Sequence, residues 1–216
     1  MVSIPNHYYK TDKSANVAIC VPVRDTVTAV FAHSLAMLMK KCGETGLATT
    51  LHFNMGSEVA MQRQQLVDQA LETSCTHIMW IDSDMKFPAD TLQILLNYKK
   101  DIVAGNYSTR VPPHRPVAFT DPNNLDARTF TGTGLEEVFA VGSGMMLVKR
   151  EVYENIPRPH YMIEYNDSYT SLVGEDIYFC KKAGEHDYTV FVDHVISDKI
   201  AHVGTRAFTI KEDCNE

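Results

Sequence analysis

The sequence has no apolar run that approaches the roughly 20 residues needed to cross a bilayer, and its amino terminus has no basic segment followed by an apolar core. Its five cysteines are odd in number and scattered, without a CxxC pair or the spacing of a zinc site. These absences argue against a membrane span, a secretory signal and a zinc scaffold. We therefore expect a soluble, cytoplasmic protein with reduced thiols.

Positive charge is also scarce, since 20 lysines and arginines face 27 aspartates and glutamates, which gives a formal net charge of −7. This balance argues against a surface that binds DNA or RNA broadly through phosphates, although it leaves room for a local basic groove. At 216 residues, with 44% hydrophobic content, the chain suits one compact domain. We expect a flexible lead-in over residues 1–16 and a single domain over residues 17–210.

Apolar runs of strand length alternate with segments of helical periodicity in the first half of the chain. This alternation predicts an α/β fold of Rossmann-like outline, with a mainly parallel central sheet flanked by helices. A GxGxxG loop is absent, so a classical dinucleotide site is not expected. Gly43 and Ser57 are expected to cap the first and second helices, and Pro88 to lie near the first turn of the third. Strands are predicted at 17–23, 47–53, 77–81 and 101–106, and helices at 26–41, 58–72 and from about 88.

The second half has a different character. Residues 121–134 are rich in Asn, Asp, Thr and Gly, and predict a flexible loop of the kind that often serves as a lid or binding loop. Gly142 and Gly144 interrupt a strand predicted over 137–148, a pattern typical of backbone that approaches a ligand or forms a bulge. Further elements are predicted as a short helix at 149–154, a helix at 175–184 and a strand at 189–192.

The most informative stretch is the apolar run that begins at Ile78 and stops at Asp82 and Asp84. In an open α/β sheet, ligands bind outside the carboxyl ends of the strands. Residues two apart in an extended chain point the same way, so both carboxylates can face one hard cation and the phosphates that it carries. The alternative is a strand that ends in an Asx turn, with the aspartates bonded to nearby backbone N–H groups. Trp80, inside the run, is expected to belong to the core.

Four short motifs occur in a fixed order along the chain. They are Asp82-Ser83-Asp84 with Phe87-Pro88, Gly142-Ser143-Gly144 with Lys149-Arg150-Glu151-Val152, Gly174-Glu175-Asp176 with Phe179-Cys180, and His202-Val203-Gly204. Their order resembles that of the nucleotide-sugar glycosyltransferases of the GT-A fold, above all the family 2 group and its small bacterial and phage relatives. The resemblance extends from Val17 to Gly204. It implies a nucleotide-sugar and metal half over 17–110 and an acceptor half over 111–210.

The resemblance implies a divalent metal site. Asp84 would be a direct ligand, Asp82 would reach the metal, its waters or the donor ribose, and His202 would complete the protein's share. Carboxylate, imidazole and phosphate oxygen together suit Mn²⁺ or Mg²⁺, and the imidazole favours Mn²⁺. The alternative for His202 is an ordinary polar residue near a turn.

The resemblance also implies a catalytic base. An attacking hydroxyl must lose its proton, which calls for a carboxylate near the acceptor. Asp176 is assigned as that base, and Glu175 as the neighbour that orients the acceptor. Direct displacement with inversion follows if Asp176 lies opposite the leaving group. Acidic residues at a helix amino terminus are also a common capping pattern, which is the alternative.

Donor and acceptor contacts are assigned by the same resemblance. Arg63 is a candidate for a donor phosphate, with a solvated helix arginine as the alternative. The acidic residue that often follows the second strand is missing, which leaves the nucleobase open, although a UDP-sugar is the expected donor. Tyr107 and Arg110 are assigned to an acceptor or donor pocket, with a surface loop as the alternative. The donor-binding set is Pro22, Arg24, Asn54, Arg63, Asp82, Ser83 and Gly144.

Taken together, these assignments predict a metal-dependent glycosyltransferase that moves a sugar from a nucleotide-sugar to a hydroxyl acceptor. The acceptor remains open between a glycan and a hydroxylated DNA base of the kind that phage enzymes modify, and the oligomeric state is not indicated. Two alternatives stay open, a sugar-phosphate nucleotidyltransferase and a non-catalytic nucleotide-sugar binding module. A basic rim suited to DNA would consist of Lys99, Lys100, Arg110, His114 and Arg115, with a solvated basic loop as its alternative.

Overall fold

A seven-stranded sheet with helices on both faces organises the chain. The computed structural model describes residues 14–166 and 170–204, so most of the predicted lead-in and the residues after Gly204 lie outside the described residues. The strands are β1 Asn16–Val23, β2 Ala48–Met55, β3 His77–Ile81, β4 Met85–Lys86, β5 Ile102–Ala104, β6 Ala118–Phe119, β7 Leu135–Val138, β8 Ala140–Val141, β9 Met145–Lys149, β10 Glu164–Tyr165, β11 Leu172–Val173, β12 Val190–Asp193 and β13 Ala201–His202. The helices are α1 Ala29–Thr45, α2 Val59–Leu71, α3 Thr91–Asn97, α4 Arg150–Asn155, α5 Glu175–Gly184 and α6 His194–Ser197.

The strand order across the central sheet is β2-β1-β3-β9-β5-β12-β7. Strands β2, β1, β3, β5 and β12 run in one direction, whereas β9 and β7 run in the opposite one. The predicted α/β fold with a mainly parallel sheet is therefore confirmed. Strand β9 lies between β3 and β5 and pairs antiparallel with both, which separates the first βαβ units from the rest of the sheet.

Two apolar clusters cover the two faces of this sheet. Successive residues of β1 point to opposite faces and so belong to different clusters. Ile19 packs in the cluster with α1 and α3, and Cys20 packs in the cluster with α2, α4 and α5. A strand buried on both faces needs a continuous apolar run, which is what its sequence shows. Trp80 is completely buried and its indole N–H donates to the Tyr153 hydroxyl at 2.7 Å. Its predicted place in the core is confirmed.

The helix ends differ from the predictions in three places. Helix α1 continues through Gly43 and ends at Thr45, and Gly46 caps it, with a φ of 72° and N–H bonds to the Cys42 and Gly43 carbonyls. Ser57 does not cap α2, because that helix begins after Glu58, which lies in extended conformation. Pro88 precedes α3 by a turn, and its carbonyl accepts from the Thr91 N–H and hydroxyl.

The predicted loop at 121–134 is confirmed as a segment without regular structure. Its polar side chains form local turns, since the Asp121 carboxylate accepts from the Asn123 N–H and the Asn124 amide oxygen from the Asp126 N–H. The glycine-interrupted strand at 137–148 is three strands, β7, β8 and β9. Strands β10 and β11 were not predicted.

Two properties of the described residues bear on the expectations from composition. No helix among them is both long enough and apolar enough to span a membrane. The cysteines at positions 20, 42, 75 and 180 are all buried free thiols without a disulfide bond. Cys214 lies outside the described residues.

The position of the α1 cap predicts opposite effects for two alanine substitutions. Gly46→Ala should destabilise the protein by about 1 kcal/mol, because an L side chain rarely adopts a positive φ. Gly43→Ala should stabilise it by roughly 0.5 kcal/mol, because Gly43 is helical and an added Cβ would meet no atom within 4 Å. Urea unfolding of both variants measures this, and the reversed order would contradict the observed helix end.

Candidate active site

A cleft opens at the carboxyl ends of β1, β2 and β3, where an α/β sheet keeps its ligands. Its volume is about 250 Å³. It brings together Pro22 and Arg24 at the end of β1, residues 82–84 after β3, Arg110 from the loop after β5, and His202 from β13. The lining residues are Pro22, Arg24, Gly56, Ser57, Val59, Gln62, Asp82, Ser83, Asp84, Arg110 and His202.

A tight turn fixes the two aspartates at the end of β3. The Asp82 N–H donates to the Gly144 carbonyl at 3.0 Å, and the Met85 N–H donates back to the Asp82 carbonyl at 3.1 Å. The chain then enters β4, which pairs antiparallel with β13 and so carries His202 opposite Met85. This two-stranded ribbon explains how residues more than 100 positions apart in sequence meet in one cleft.

Asp84 lies between an imidazole and a guanidinium. Its Oδ1 is 3.3 Å from His202 Nε2, and its Oδ2 is 2.6 Å from Arg110 Nη1. Burial opposes ionisation of the Asp84 carboxyl, but the hydrogen bond and charge of His202 and the charge of Arg110 hold its pKa below the usual value. Asp84 is therefore a carboxylate at neutral pH.

Whether a divalent metal can bind here depends on which ligand side chains meet around Asp84. Within residues 14–166 and 170–204, no three His, Cys, Asp or Glu side chains converge closely enough to hold a metal ion by themselves. Asp84 and His202 do converge, and a carboxylate with an imidazole suits Mn²⁺. One Asp82 oxygen is instead directed to Arg63. This pair therefore fits a metal that takes two ligands from the protein and its remaining ligands from elsewhere.

Arg63 lies beneath the cleft and not at its mouth. Its side chain is only 3% exposed; Nη2 donates to Asp82 Oδ1 at 2.7 Å and Nε donates to Glu175 Oε1 at 3.1 Å. The guanidinium also lies 5.2 Å from the Trp80 ring centroid. Burial alone would lower the Arg63 pKa, but the two carboxylates raise it above the usual value, so the side chain stays charged.

Asp176 occupies the first turn of α5 beside Glu175. Its Oδ1 accepts from the Ile177 N–H at 2.8 Å. Burial, and then the charge of Glu175, raise the pKa of Asp176 to about 6, against the opposing influence of the Ile177 bond and Arg63. A carboxyl that titrates near neutrality is suited to general acid–base work.

Tyr107 lies near both His202, on the side of Asp84, and Asp176, on the side of α5. Its hydroxyl accepts from the Gly144 N–H at 3.0 Å, and its ring packs edge-on against His202 with centroids 5.3 Å apart. A Cβ at Gly142 or Gly144 would lie 2.6 or 2.5 Å from the Tyr107 hydroxyl. The glycines therefore make room for this side chain. Burial raises the Tyr107 pKa well above its usual value, and the nearby Asp82 and Asp176 raise it further.

Other predicted residues have different surroundings. Asn54 is absent from the cleft lining; its amide donates to Gln65 Oε1 at 2.8 Å, while Gly56 and Ser57 line the cleft. Sequence reasoning missed Gln62, whose buried amide donates to the Val23 and Asn54 carbonyls at 2.7 Å and joins the ends of β1 and β2. A polar residue on the inward face of α2 is the one signal that marks it.

The proposed basic rim does not gather around the cleft. Of its five residues, only Arg110 lines the cavity. Lys100 packs 4.0 Å from the Phe191 ring centroid, and Arg115 pairs with Asp126. Lys100 and Arg115 are therefore both engaged in local contacts.

Comparison with solved structures decides the fold. The structure of A197 from STIV superposes with a TM-score of 0.56 at 18% identity, over 91% of this chain and 98% of the other. A mutant Drosophila β-1,4-galactosyltransferase 7, in complex with manganese, UDP-Gal and xylobiose, superposes with a TM-score of 0.53 at 16% identity, over 92% and 78%. The fold is GT-A-like. No family model and no curated protein sequence matches the chain, so the likeness extends to the GT-A-like fold alone.

The burial of Arg63 predicts a large stability effect. Arg63→Met should destabilise the protein by roughly 3 to 5 kcal/mol, because it leaves the Asp82 and Glu175 carboxylates without their cation. Arg158→Met is the matched control, since Arg158 makes an exposed pair with Asp68 and should cost less than about 1 kcal/mol. Urea unfolding at neutral pH measures both, and equal losses would refute the central place of Arg63.

The raised pKa of Asp176 predicts a stability effect that depends on pH. A folded-state pKa of about 6 against 3.8 for the free group means that the protonated carboxyl favours folding. That contribution is complete below about pH 3.8 and is lost as the pH rises through about 6. Asp176→Asn stays neutral, so it should stabilise the protein at pH 7.5 by roughly 1 to 3 kcal/mol and have little effect near pH 4.

Urea unfolding of Asp176→Asn at both pH values tests this expectation. Asp126→Asn is the control, because Asp126 is exposed on the surface. A gain of equal size at both pH values would show that ionisation of Asp176 is not its cause.

Proposed function

We propose that this chain is a metal-dependent glycosyltransferase that moves a sugar from a nucleotide-sugar donor, a UDP-sugar, to a hydroxyl acceptor. One observation carries the proposal. The cleft lined by Asp84 and His202 adjoins Tyr107, and Tyr107 in turn lies within electrostatic reach of Asp176, a carboxyl whose pKa is near 6. Donor activation and proton removal need these two kinds of group at neighbouring points.

Asp84 and His202 would hold a divalent cation, Mn²⁺ in preference to Mg²⁺, with Asp82 nearby. When bound, the metal supplies positive charge that stabilises the departing nucleoside diphosphate. Pro22 and Arg24, at the end of β1, and Ser83 line the same cavity and would bind the nucleoside and phosphates. The GT-A-like fold supports this assignment, and the neighbour with UDP-Gal and manganese makes UDP the first nucleotide to test.

Asp176 would act as the base. It accepts the proton of the acceptor hydroxyl while that oxygen forms a bond to the anomeric carbon, and the bond from that carbon to the diphosphate oxygen breaks. Glu175, fixed by Arg63, would orient the acceptor. Attack on the side opposite the diphosphate gives inversion at the anomeric carbon.

A glycan is favoured over a hydroxylated DNA base as the acceptor, because the basic residues that DNA would need do not line the cleft together. A cavity of about 550 Å³ on the α5 side offers Tyr165, Asn166 and Lys181. Aromatic, amide and charged side chains of this kind bind sugar rings and their hydroxyls. Its lining includes Ile177, next to Asp176 on α5.

Thermal-shift measurements with a panel of sugar nucleotides, with and without Mn²⁺, test the proposal. A ligand that binds only the folded state raises the unfolding temperature by mass action. We expect a shift that needs both the metal and one nucleotide, and slow hydrolysis of that donor. Binding without hydrolysis would favour a binding module, and activity that requires a sugar phosphate with a nucleoside triphosphate would favour a nucleotidyltransferase.

Two substitutions separate the roles within that experiment. Asp84→Ala should abolish the metal-dependent donor shift, whereas Asp176→Asn should keep the shift and stop transfer. The difference arises because only Asp84 belongs to the donor side of the site. Equal loss of donor binding in both variants would refute the separate roles.

A further inference from the structure

The guanidinium of Arg110 lines the cleft and pairs with Asp84. Arg110 follows β5, and its side chain is 50% exposed. Its aliphatic part lies against Gly204, where an added Cβ would be 3.3 Å from Arg110 Cδ. The guanidinium thus reaches Asp84 across a surface that a larger residue at position 204 would crowd.

The Arg110 guanidinium pairs with Asp84, the carboxylate that the proposed metal would bind. With Arg110 Nη1 at 2.6 Å from one oxygen and His202 Nε2 at 3.3 Å from the other, both oxygens of Asp84 already have a cationic or imidazole partner. A divalent ion that binds Asp84 is repelled by the guanidinium at the same carboxylate, so metal binding favours the departure of Arg110.

The two arginines that pair with Asp82 and Asp84 differ in how easily they can leave. Arg63 binds two carboxylates and is 3% exposed, so its removal would leave charges buried and unpaired. Arg110 makes one ion pair with half of its side chain in solvent, where such pairs contribute little. Of these two, Arg110 is therefore the one that can exchange partners.

The new partner is within reach. Arg110, Arg24 and Asp84 line one cavity of about 250 Å³. A guanidinium is well matched to phosphate oxygens, because its N–H groups form a planar fork. When Asp84 binds a metal, Arg110 loses its anionic partner. The phosphates of a donor in this cavity would supply a new one.

We propose that Arg110 occupies the metal's place at Asp84 in the free chain and moves to the donor diphosphate when metal and donor bind together. The inference rests on the proposed function of the same cleft. It makes Arg110 a positioning residue that couples two ligands, so that the metal binds weakly alone and tightly with the nucleotide. Either ligand alone would then bind more weakly than it does in the presence of the other.

Titration of the full chain with Mn²⁺, followed by the electron paramagnetic resonance signal of the free ion, tests this exchange. Arg110→Gln should bind Mn²⁺ alone roughly fivefold more tightly than the parent chain, because Asp84 is released. It should also bind UDP more weakly in the presence of Mn²⁺, and the coupling between the two ligands should fall. Arg115→Gln is the control, since it removes one charge from the same loop while Arg115 pairs with Asp126.

The outcomes distinguish the inference from the function on which it rests. Tighter Mn²⁺ binding in Arg110→Gln alone, together with a weaker UDP affinity, supports the exchange. Unchanged or weaker Mn²⁺ binding in Arg110→Gln, or equal tightening in Arg115→Gln, overturns it, while metal-dependent UDP binding in the parent chain would leave the proposed function intact. Absence of Mn²⁺ binding in the parent chain, with and without UDP, overturns both.

Discussion

The buried guanidinium of Arg63 is the contact on which the two sides of the candidate site depend. It bonds to Asp82, at the end of β3, and to Glu175, at the start of α5, and its central carbon lies 5.2 Å from the Trp80 ring centroid. Removal of this buried cation would leave both carboxylates without their shared ion-pair partner. The ion pairs therefore fix the distance between the sheet edge and the helix that carries the proposed base.

Asp176, next to Glu175 in the chain, has an unusual pKa. Arg63 directs two of its nitrogens to Asp82 and Glu175, while Asp176 bonds to the backbone N–H of Ile177. Burial, and then the charge of Glu175, raise the Asp176 pKa to about 6, against the opposing influence of the Ile177 bond and of Arg63. A buried carboxyl beside a second carboxylate is in this way kept ready to accept a proton.

Local patterns predicted much of the fold but little of the site's contacts. Apolar runs identified the buried strands, because a strand covered on both faces has no polar side to show. The end of α1 was misplaced since Gly43 and Gly46 look alike in sequence, and only the backbone path decides which one adopts a positive φ. The bond between Arg63 and Glu175 spans 112 positions, and no periodicity or spacing signals such a pair. Asp84 and His202 were paired through family resemblance, and the β4–β13 ribbon supplies the physical reason.

Tyr107 shows why the site needs a neutral group at its centre. A divalent cation bound next to Asp176 would lower the pKa of that carboxyl and weaken it as a base. The phenol packs against His202 on one side and lies within electrostatic reach of Asp176, and its high pKa keeps it uncharged. Gly142 and Gly144 leave the space that its hydroxyl fills. The glycines therefore serve the site indirectly, because they admit the neutral side chain that contacts His202 and lies near Asp176.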